Sequence, residues 1–262
     1  MISYGKQFID SNDIRAVVKT LRGDWLTQGP EVRKFEKALK SKFGAKYCTA
    51  VSNGTAALHL VGIALGWKKG DIVLTSPISF LATSNCILYS GAKPDFVDIE
   101  DNYFTIDANK LEKKIREYKK RKKKIVAIIA TDYAGHPCDW KKLKLISTKY
   151  NIKLINDNCH ALGATINNKK NYAIKFADIV TQSYHPVKHI TTAEGGSILT
   201  NNKKLDKKFK ILRSHGVERN NFKEPWLYKM NYLGFNYRLS DISCALGISQ
   251  LKKIEIFLRK RK

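Results

Sequence analysis

Ser183-Tyr184-His185-Pro186-Val187-Lys188-His189-Ile190-Thr191-Thr192-Ala193-Glu194-Gly195-Gly196 is the stretch that decides how this chain is read. An apolar run at 179–181 precedes it and another at 197–200 follows it, each of strand length. A lysine on a loop between strands is ordinarily a solvated surface residue. Lys188 instead stands among hydroxyls and two histidines, far from the lysine-rich stretches. Such surroundings favour an amine nucleophile that attacks an aldehyde.

Outward from this loop, strands and helices alternate. Apolar runs at Tyr47–Val51, Ile72–Thr75, 95–99, Ile125–Thr131 and 153–155 read as strands. Helical periodicity covers 9–21, 31–43, Gly54–Leu65, 81–90, 111–121 and Trp140–Tyr150. The alternation predicts an α/β fold with a largely parallel sheet and helices on both faces. Ligands of such sheets bind in the loops beyond the strands' carboxyl ends. Residues 239–262 read as one long helix ending on Arg259-Lys260-Arg261-Lys262, so the chain looks as if it stops early.

Three further loops fall at the same end of the predicted sheet. Ser52-Asn53-Gly54-Thr55 joins a strand to a helix and turns backbone N–H groups outward at a positive helix end. That is an anion site in principle and an ordinary helix cap otherwise. No GxGxxG loop and no P-loop is present. Asp157-Asn158-Cys159-His160 follows the 153–155 strand, where a carboxylate can pair with a protonated ring nitrogen, ligate a metal or cap a helix. Gly234-Phe235-Asn236-Tyr237-Arg238-Leu239-Ser240 leads into the last helix, with Ser240 as a candidate cap.

Composition narrows the choice. Of 262 residues 43% are hydrophobic, enough for a sizeable core. No apolar stretch approaches the ~20 residues that span a bilayer. The five cysteines are scattered with no CxxC pair, which fits reduced thiols and a cytoplasmic setting. The net charge of +25 is spread over many helix faces rather than gathered in one stripe interleaved with aromatics, so it reads as lysine-biased composition, not a nucleic-acid surface. The basic run at 119–124 closes a helix, where cations complement the dipole. A metalloenzyme using Asp132, His136, Asp157 and His160 stays open as an alternative, although DxxxH and DxxH are not specific metal signatures.

The order NGT, DNCHALGA, SYHPVKHITTAEGG and GFNYRLSDISCALG resembles the DegT/DnrJ/EryC1/StrS aminotransferases over essentially the whole chain. The resemblance implies a pyridoxal 5′-phosphate (PLP) enzyme of fold type I with a mostly parallel seven-stranded sheet. It implies a large domain over 1–238, and 239–262 as the start of a helix leading to a C-terminal small domain that is largely missing. Lys188 matches the lysine that holds the cofactor as a Schiff base, and Asp157 the aspartate that keeps the pyridine nitrogen protonated. Phe80 matches the aromatic stacked on the ring. Gly54, Thr55 and Ser183 match phosphate-binding positions. Asn236 matches a phosphate-pocket residue given by a partner subunit, which implies a homodimer. His160 matches a histidine close to the cofactor. Tyr4, Asp24, Trp25, Leu26, Thr27 and His185 match positions around the sugar. Asn156 and Cys159 depart from the family, standing where acidic and small residues are commoner.

Within the family, the wording HPVKHITT, with Asp132-Tyr133-Ala134-Gly135-His136-Pro137 upstream, is similar to the branch serving pseudaminic acid biosynthesis. That implies L-glutamate as amino donor and the C4 keto group of a UDP-linked 4-keto-6-deoxy-N-acetylhexosamine as acceptor. It implies no metal, no nucleic acid and no membrane partner. A different nucleotide keto-sugar, or a PLP-binding remnant without activity, are the alternatives.

Overall fold

The computed structural model describes residues 5–169, 171–218, 224 and 226–261. In chain order the elements are α1 (Ser11–Leu21), α2 (Pro30–Phe43), β1 (Tyr47–Val51), α3 (Gly54–Leu65), β2 (Ile72–Thr75), α4 (Leu81–Tyr89), β3 (Lys93–Phe96), α5 (Ala108–Lys120) and β4 (Ile125–Thr131). They continue with α6 (Trp140–Tyr150), β5 (Lys153–Asp157), α7 (Tyr172–Phe176), β6 (Ile179–Ser183), β7 (Gly196–Thr200), α8 (Lys203–Arg213), a hairpin of β8 (Val217–Glu218) and β9 (Lys229–Met230), α9 (Asp241–Lys252) and α10 (Ile254–Arg261).

One sheet runs β1-β7-β6-β5-β4-β2-β3. All of its pairings are parallel except those of β7, which is antiparallel to both neighbours. The mostly parallel seven-stranded sheet expected from the resemblance is therefore present. Strands buried on both faces read as continuous apolar runs, which is why β1, β2 and β4 have the limits that the sequence predicts. One core, with Phe35, Leu39, Leu111, Trp140 and Leu143, fills one face of the sheet. Another, with Leu58, Leu60, Val73, Ile87 and Phe209, fills the other.

Local chemistry sets several helix starts. Asp10 accepts from the N–H groups of Asn12 (2.9 Å) and Asp13 (3.1 Å), while the Asp13 carboxylate accepts from Asp10 N–H (3.1 Å). This reciprocal cap starts α1 at Ser11 rather than at residue 9. Pro30 opens α2, and Gly44 closes it in the left-handed region at φ 70°.

Two further expectations change, and one helix was not expected. β3 covers 93–96 instead of 95–99, because its parallel ladder with β2 pairs Lys93 with Ile72 and Phe96 with Thr75. Pairing overrides the apolar run here. Helix α8, capped by Asn202, stands outside the helices read from the sequence, although Leu205, Phe209 and Leu212 recur at helical spacing and carry that signal. The single helix expected over 239–262 is two helices broken at Lys253. Lys253 Nζ is drawn to Asp10 (2.9 Å) and Asp13 (2.6 Å) of the α1 cap, and the chain turns there. Past the turn, Phe257 meets Phe8 edge-on at 6.1 Å. Leu239, Cys244, Leu251 and Ile254 belong to the same core as α2 and β1.

Among the described residues no helix is long and apolar enough to cross a membrane. All five cysteines are free thiols.

Candidate active site

The carboxyl end of the parallel strands opens into a cavity of about 590 Å³. Gly54, Thr55, Phe80, Asp157, His160, Ser183, His185 and Lys188 all line it, together with Asn53, Ser79, Thr131, Tyr133, Cys159 and Glu194. Each arrives by a different route.

α3 points its N-terminus at the cavity. The Asn53 side chain caps it by accepting from Ala56 N–H at 2.8 Å. The N–H groups of Gly54 and Thr55, first in the helix, have no acceptor within it. Gly54 must be glycine: a Cβ there would lie 2.9 Å from Ser183 Cβ and 3.4 Å from Cys159 Sγ. Its absence lets the helix end press against the end of β6. Gly196 serves the same packing, since a Cβ would come within 2.5 Å of the Asn53 carbonyl. Two N–H groups without an acceptor among the described residues, two hydroxyls and a positive helix end could together hold a doubly charged phosphate.

Asp157 ends β5 and is buried. Its Oδ2 accepts from Thr83 Oγ1 at 2.7 Å and its Oδ1 from Cys159 N–H at 3.2 Å. Among the described residues no lysine, arginine or histidine lies within ion-pair distance of it. A buried carboxylate without an internal cation is costly unless a cation is supplied from outside. Phe80, the N-cap position of α4, holds its ring exposed at the opening, with 63% of its surface free.

The Lys188 loop is fixed at both ends. Lys188 N–H donates to His185 O at 2.8 Å, and Arg261 at the end of α10 donates to Lys188 O at 2.9 Å. Thr191 Oγ1 accepts from Ala193 N–H (3.0 Å), and the Thr192 hydroxyl donates to Glu194 O (2.7 Å). These bonds hold Ala193 at φ 64°, a conformation L-residues rarely adopt, and bring Glu194 to the cavity wall. Burial, then the Lys188 charge, keep the His160 imidazole below its ordinary pKa. Burial, with Arg261, Lys188 and His160, pushes His189 down to about 4. Burial, then Asp157, push the Cys159 thiol up, so it is a poor nucleophile.

Other candidates lie elsewhere. Tyr4 is outside the described residues. Trp25 and Leu26 are exposed, and the loop they share with Asp24 and Thr27 packs at the start of α9, where Thr27 bridges Ser240. Asn236 is exposed and bridges Ser214. None of these five lines the cavity within one chain.

Metal chemistry loses two of its four residues. Asp132 is fully occupied by hydrogen-bond donors, and His136 stacks flat on Tyr103 at 3.8 Å.

Sequence reasoning assigned no part to Thr83, Tyr133 or Glu194. Thr83 carried a usable signal: it lies three residues after Phe80, on the same face of the first turn of α4.

The residues present fit pyridoxal phosphate. A phosphate cradle, a cation-free buried carboxylate, an exposed aromatic ring and an amine share one cavity.

Comparison with known proteins agrees. The model of the DegT/DnrJ/EryC1/StrS aminotransferase family matches residues 7–262. The UDP-4-amino-4,6-dideoxy-N-acetyl-β-L-altrosamine transaminase of Campylobacter jejuni is 45% identical over 261 residues, which is 100% of this chain and 67% of that one. Among solved structures, the Helicobacter pylori aminotransferase PseC, involved in pseudaminic acid biosynthesis, superposes with a TM-score of 0.87 at 35% identity over 97% of this chain and 66% of that one. The PLP form of the sugar aminotransferase Spr1654 from Streptococcus pneumoniae superposes at 0.88 with 29% identity, over 99% of this chain and 68% of that one. The chain thus spans about two thirds of the length of these relatives.

Proposed function

This chain belongs to the DegT/DnrJ/EryC1/StrS aminotransferase family, and we propose that it transfers an amino group from L-glutamate to the C4 keto group of a UDP-linked 4-keto-6-deoxy-N-acetylhexosamine. The product is then UDP-4-amino-4,6-dideoxy-N-acetyl-β-L-altrosamine. The cofactor is pyridoxal 5′-phosphate. The observation that carries the reading is the convergence of Lys188, Asp157 and the α3 N-terminus on one cavity. Similarity to the altrosamine transaminase of Campylobacter jejuni supports the sugar.

When bound, the cofactor supplies an aldehyde for an amine and an electron sink for a carbanion. The chain's residues divide the remaining work. Lys188 Nζ anchors the cofactor, and it carries the proton removed from the donor's α-carbon, a general acid–base role. Asp157 holds a proton on the pyridine nitrogen by placing a buried negative charge beside it. Gly54 and Thr55 N–H groups, with the Thr55 and Ser183 hydroxyls, bind the phosphate. Phe80 covers the ring and excludes water. His160, kept neutral by burial, donates or accepts a hydrogen bond at the cavity wall. His185 and Tyr133 border the space left for the sugar.

Asn236 and the Asp24, Trp25, Leu26 and Thr27 loop serve the neighbouring site of a homodimer. Their exposure, and their distance from the chain's own cavity, support that assignment. Five free thiols support a cytoplasmic setting.

Borohydride reduction of the PLP-loaded protein, followed by peptide mass mapping, tests the reading. A pyridoxyl adduct on Lys188 is expected. An adduct on another lysine, or none on a folded sample, would overturn the assignment.

A further inference from the structure

Asp132 takes no part in the chemistry above, yet it is the most heavily bonded acid of the site region. It is fully buried. Its Oδ1 accepts from Cys138 N–H (2.9 Å) and Trp140 Nε1–H (2.8 Å). Its Oδ2 accepts from Asn156 Nδ2 (3.0 Å), Asn158 Nδ2 (3.0 Å) and the Tyr172 hydroxyl (2.7 Å). An ionised carboxylate offers about four lone-pair directions, so five donors saturate it.

Two of those donors flank Asp157. Side chains alternate along a strand, so Asn156 and Asn158 point to the face opposite Asp157. Ile155 belongs to the core beneath α3 and α4, and Leu154 to the core on the other side. Asp157 shares the face of Ile155 and reaches Thr83 of α4. Asn156 and Asn158 share the face of Leu154, and there Asp132 binds both amides. Asp132 N–H also donates to Asp157 O at 3.3 Å. The Asp132 carboxylate therefore grips the side chain before Asp157 and the side chain after it, while the Asp132 main-chain N–H holds the carbonyl between them. The second grip matters because the ladder is ending: Asn158 lies beyond the last residue of β5, held otherwise by its N–H to Thr181 O at 2.9 Å and by its side-chain amide, which also donates to the Tyr172 hydroxyl at 3.0 Å.

We propose that Asp132 is a positioning residue for the transamination: through Asn156 and Asn158 it fixes the strand-end conformation that aims the Asp157 carboxylate at the cofactor's ring nitrogen. The inference rests on the reading that Asp157 pairs with that nitrogen. It is specific to the paired amides at 156 and 158, because a carboxylate accepts and cannot donate. A glutamate at 156 would face Asp132 with a second negative charge.

The test is a double-mutant cycle read by pyridoxal phosphate affinity, from titration of the apoprotein followed by the cofactor's visible absorbance. The four proteins are wild type, Asp132→Asn, Asp157→Asn and the double variant. Asp132→Asn is expected to weaken binding roughly tenfold, the lower end of what removing an outer partner of a ligating group costs. In the Asp157→Asn background the same change is expected to cost less than about twofold, because Asp132 then has nothing left to aim. A loss of equal size in both backgrounds, or no loss in either, would overturn the inference and leave Asp132 a fold anchor. Equal affinity of wild type and Asp157→Asn would overturn the underlying reading instead. If Asp132→Asn does not fold, Asn158→Ala replaces it in the cycle with the same expectation, since four donors to Asp132 remain.

Discussion

Asp132 and Asp157 stand side by side at the exits of adjacent strands, both buried, on opposite faces of one sheet. Asp132 has five donors from the protein; Asp157 has two and faces a cavity. Folding completes the first acid and leaves the second short of a cation. With the role proposed for Asp157, the difference separates a carboxylate that closes a fold from one kept for a ligand. The number of internal donors separates them, where burial alone does not.

The largest way to break that comparison is at the ligand. Lys188→Ala is expected to abolish turnover while leaving the fold intact, because the side chain is only partly buried and its loop is held by main-chain bonds. Measurable turnover by the purified variant would remove Lys188 from the chemistry. Asp157→Asn comes next. Removing the charge opposite a buried cation costs about 3–5 kcal/mol, equivalent to two to four powers of ten in rate. Steady-state kinetics should show that loss with some cofactor still bound. A loss under tenfold would mean that the two aspartates differ less than their partners imply.

Parts of this contrast were legible in the sequence and parts were not. The strands β1, β2 and β4 and the helices α3 and α6 have the limits that apolar runs and caps predict. The cavity's loops follow strand ends, so Gly54, Phe80, Asp157, Ser183 and Lys188 could be named beforehand from their motifs. Asp132 could not be assigned its place. As written, Asp132-Tyr133-Ala134-Gly135-His136 and Asp157-Asn158-Cys159-His160 look like two equal strand-end acids, even a joint metal site. Only tertiary packing brings Trp140 and Tyr172 to one and not to the other. The break at Lys253 escaped for the same reason, since its cause is a charge pair with residues about 240 positions away. β3 slid because ladder register outranks local hydrophobicity.

A smaller effect uses pH to sharpen the contrast between a satisfied group and one that burial leaves wanting. The buried Nδ1 of His189 has no hydrogen-bond partner among the described residues, and burial, then Arg261, hold the ring's pKa near 4. Burial also lowers His160 and His59. A histidine depressed in the fold binds its proton first in the unfolded chain. Stability from these groups is therefore complete above about pH 6.5 and is lost as pH falls toward 4. For His189 the full span is on the order of 3 kcal/mol. Urea titrations between pH 7 and 4.5 should show falling stability, with a shallower fall for His189→Leu. Equal slopes for the two proteins would contradict it.

The smallest prediction pits one hydroxyl against another. Tyr172→Phe removes one of five donors to Asp132, and Thr83→Val removes one of two donors to Asp157. Each should cost about 1–2 kcal/mol in the apoprotein, the usual loss when a buried acceptor loses its partner. At roughly 2–4 °C per kcal/mol for a chain near this length, the melting temperature falls by a few degrees in both. They part on adding cofactor. Asn156 and Asn158 still hold Asp132 after Tyr172→Phe, so PLP should raise the melting temperature as much as in wild type. After Thr83→Val the Asp157 carboxylate is free to turn, and a roughly tenfold loss of affinity would remove about 1.4 kcal/mol of that ligand stabilisation. Melting curves with and without PLP separate the two variants. The opposite pattern, with the cofactor response lost in Tyr172→Phe and kept in Thr83→Val, would reverse the assignment of which aspartate closes the fold and which waits for the ligand.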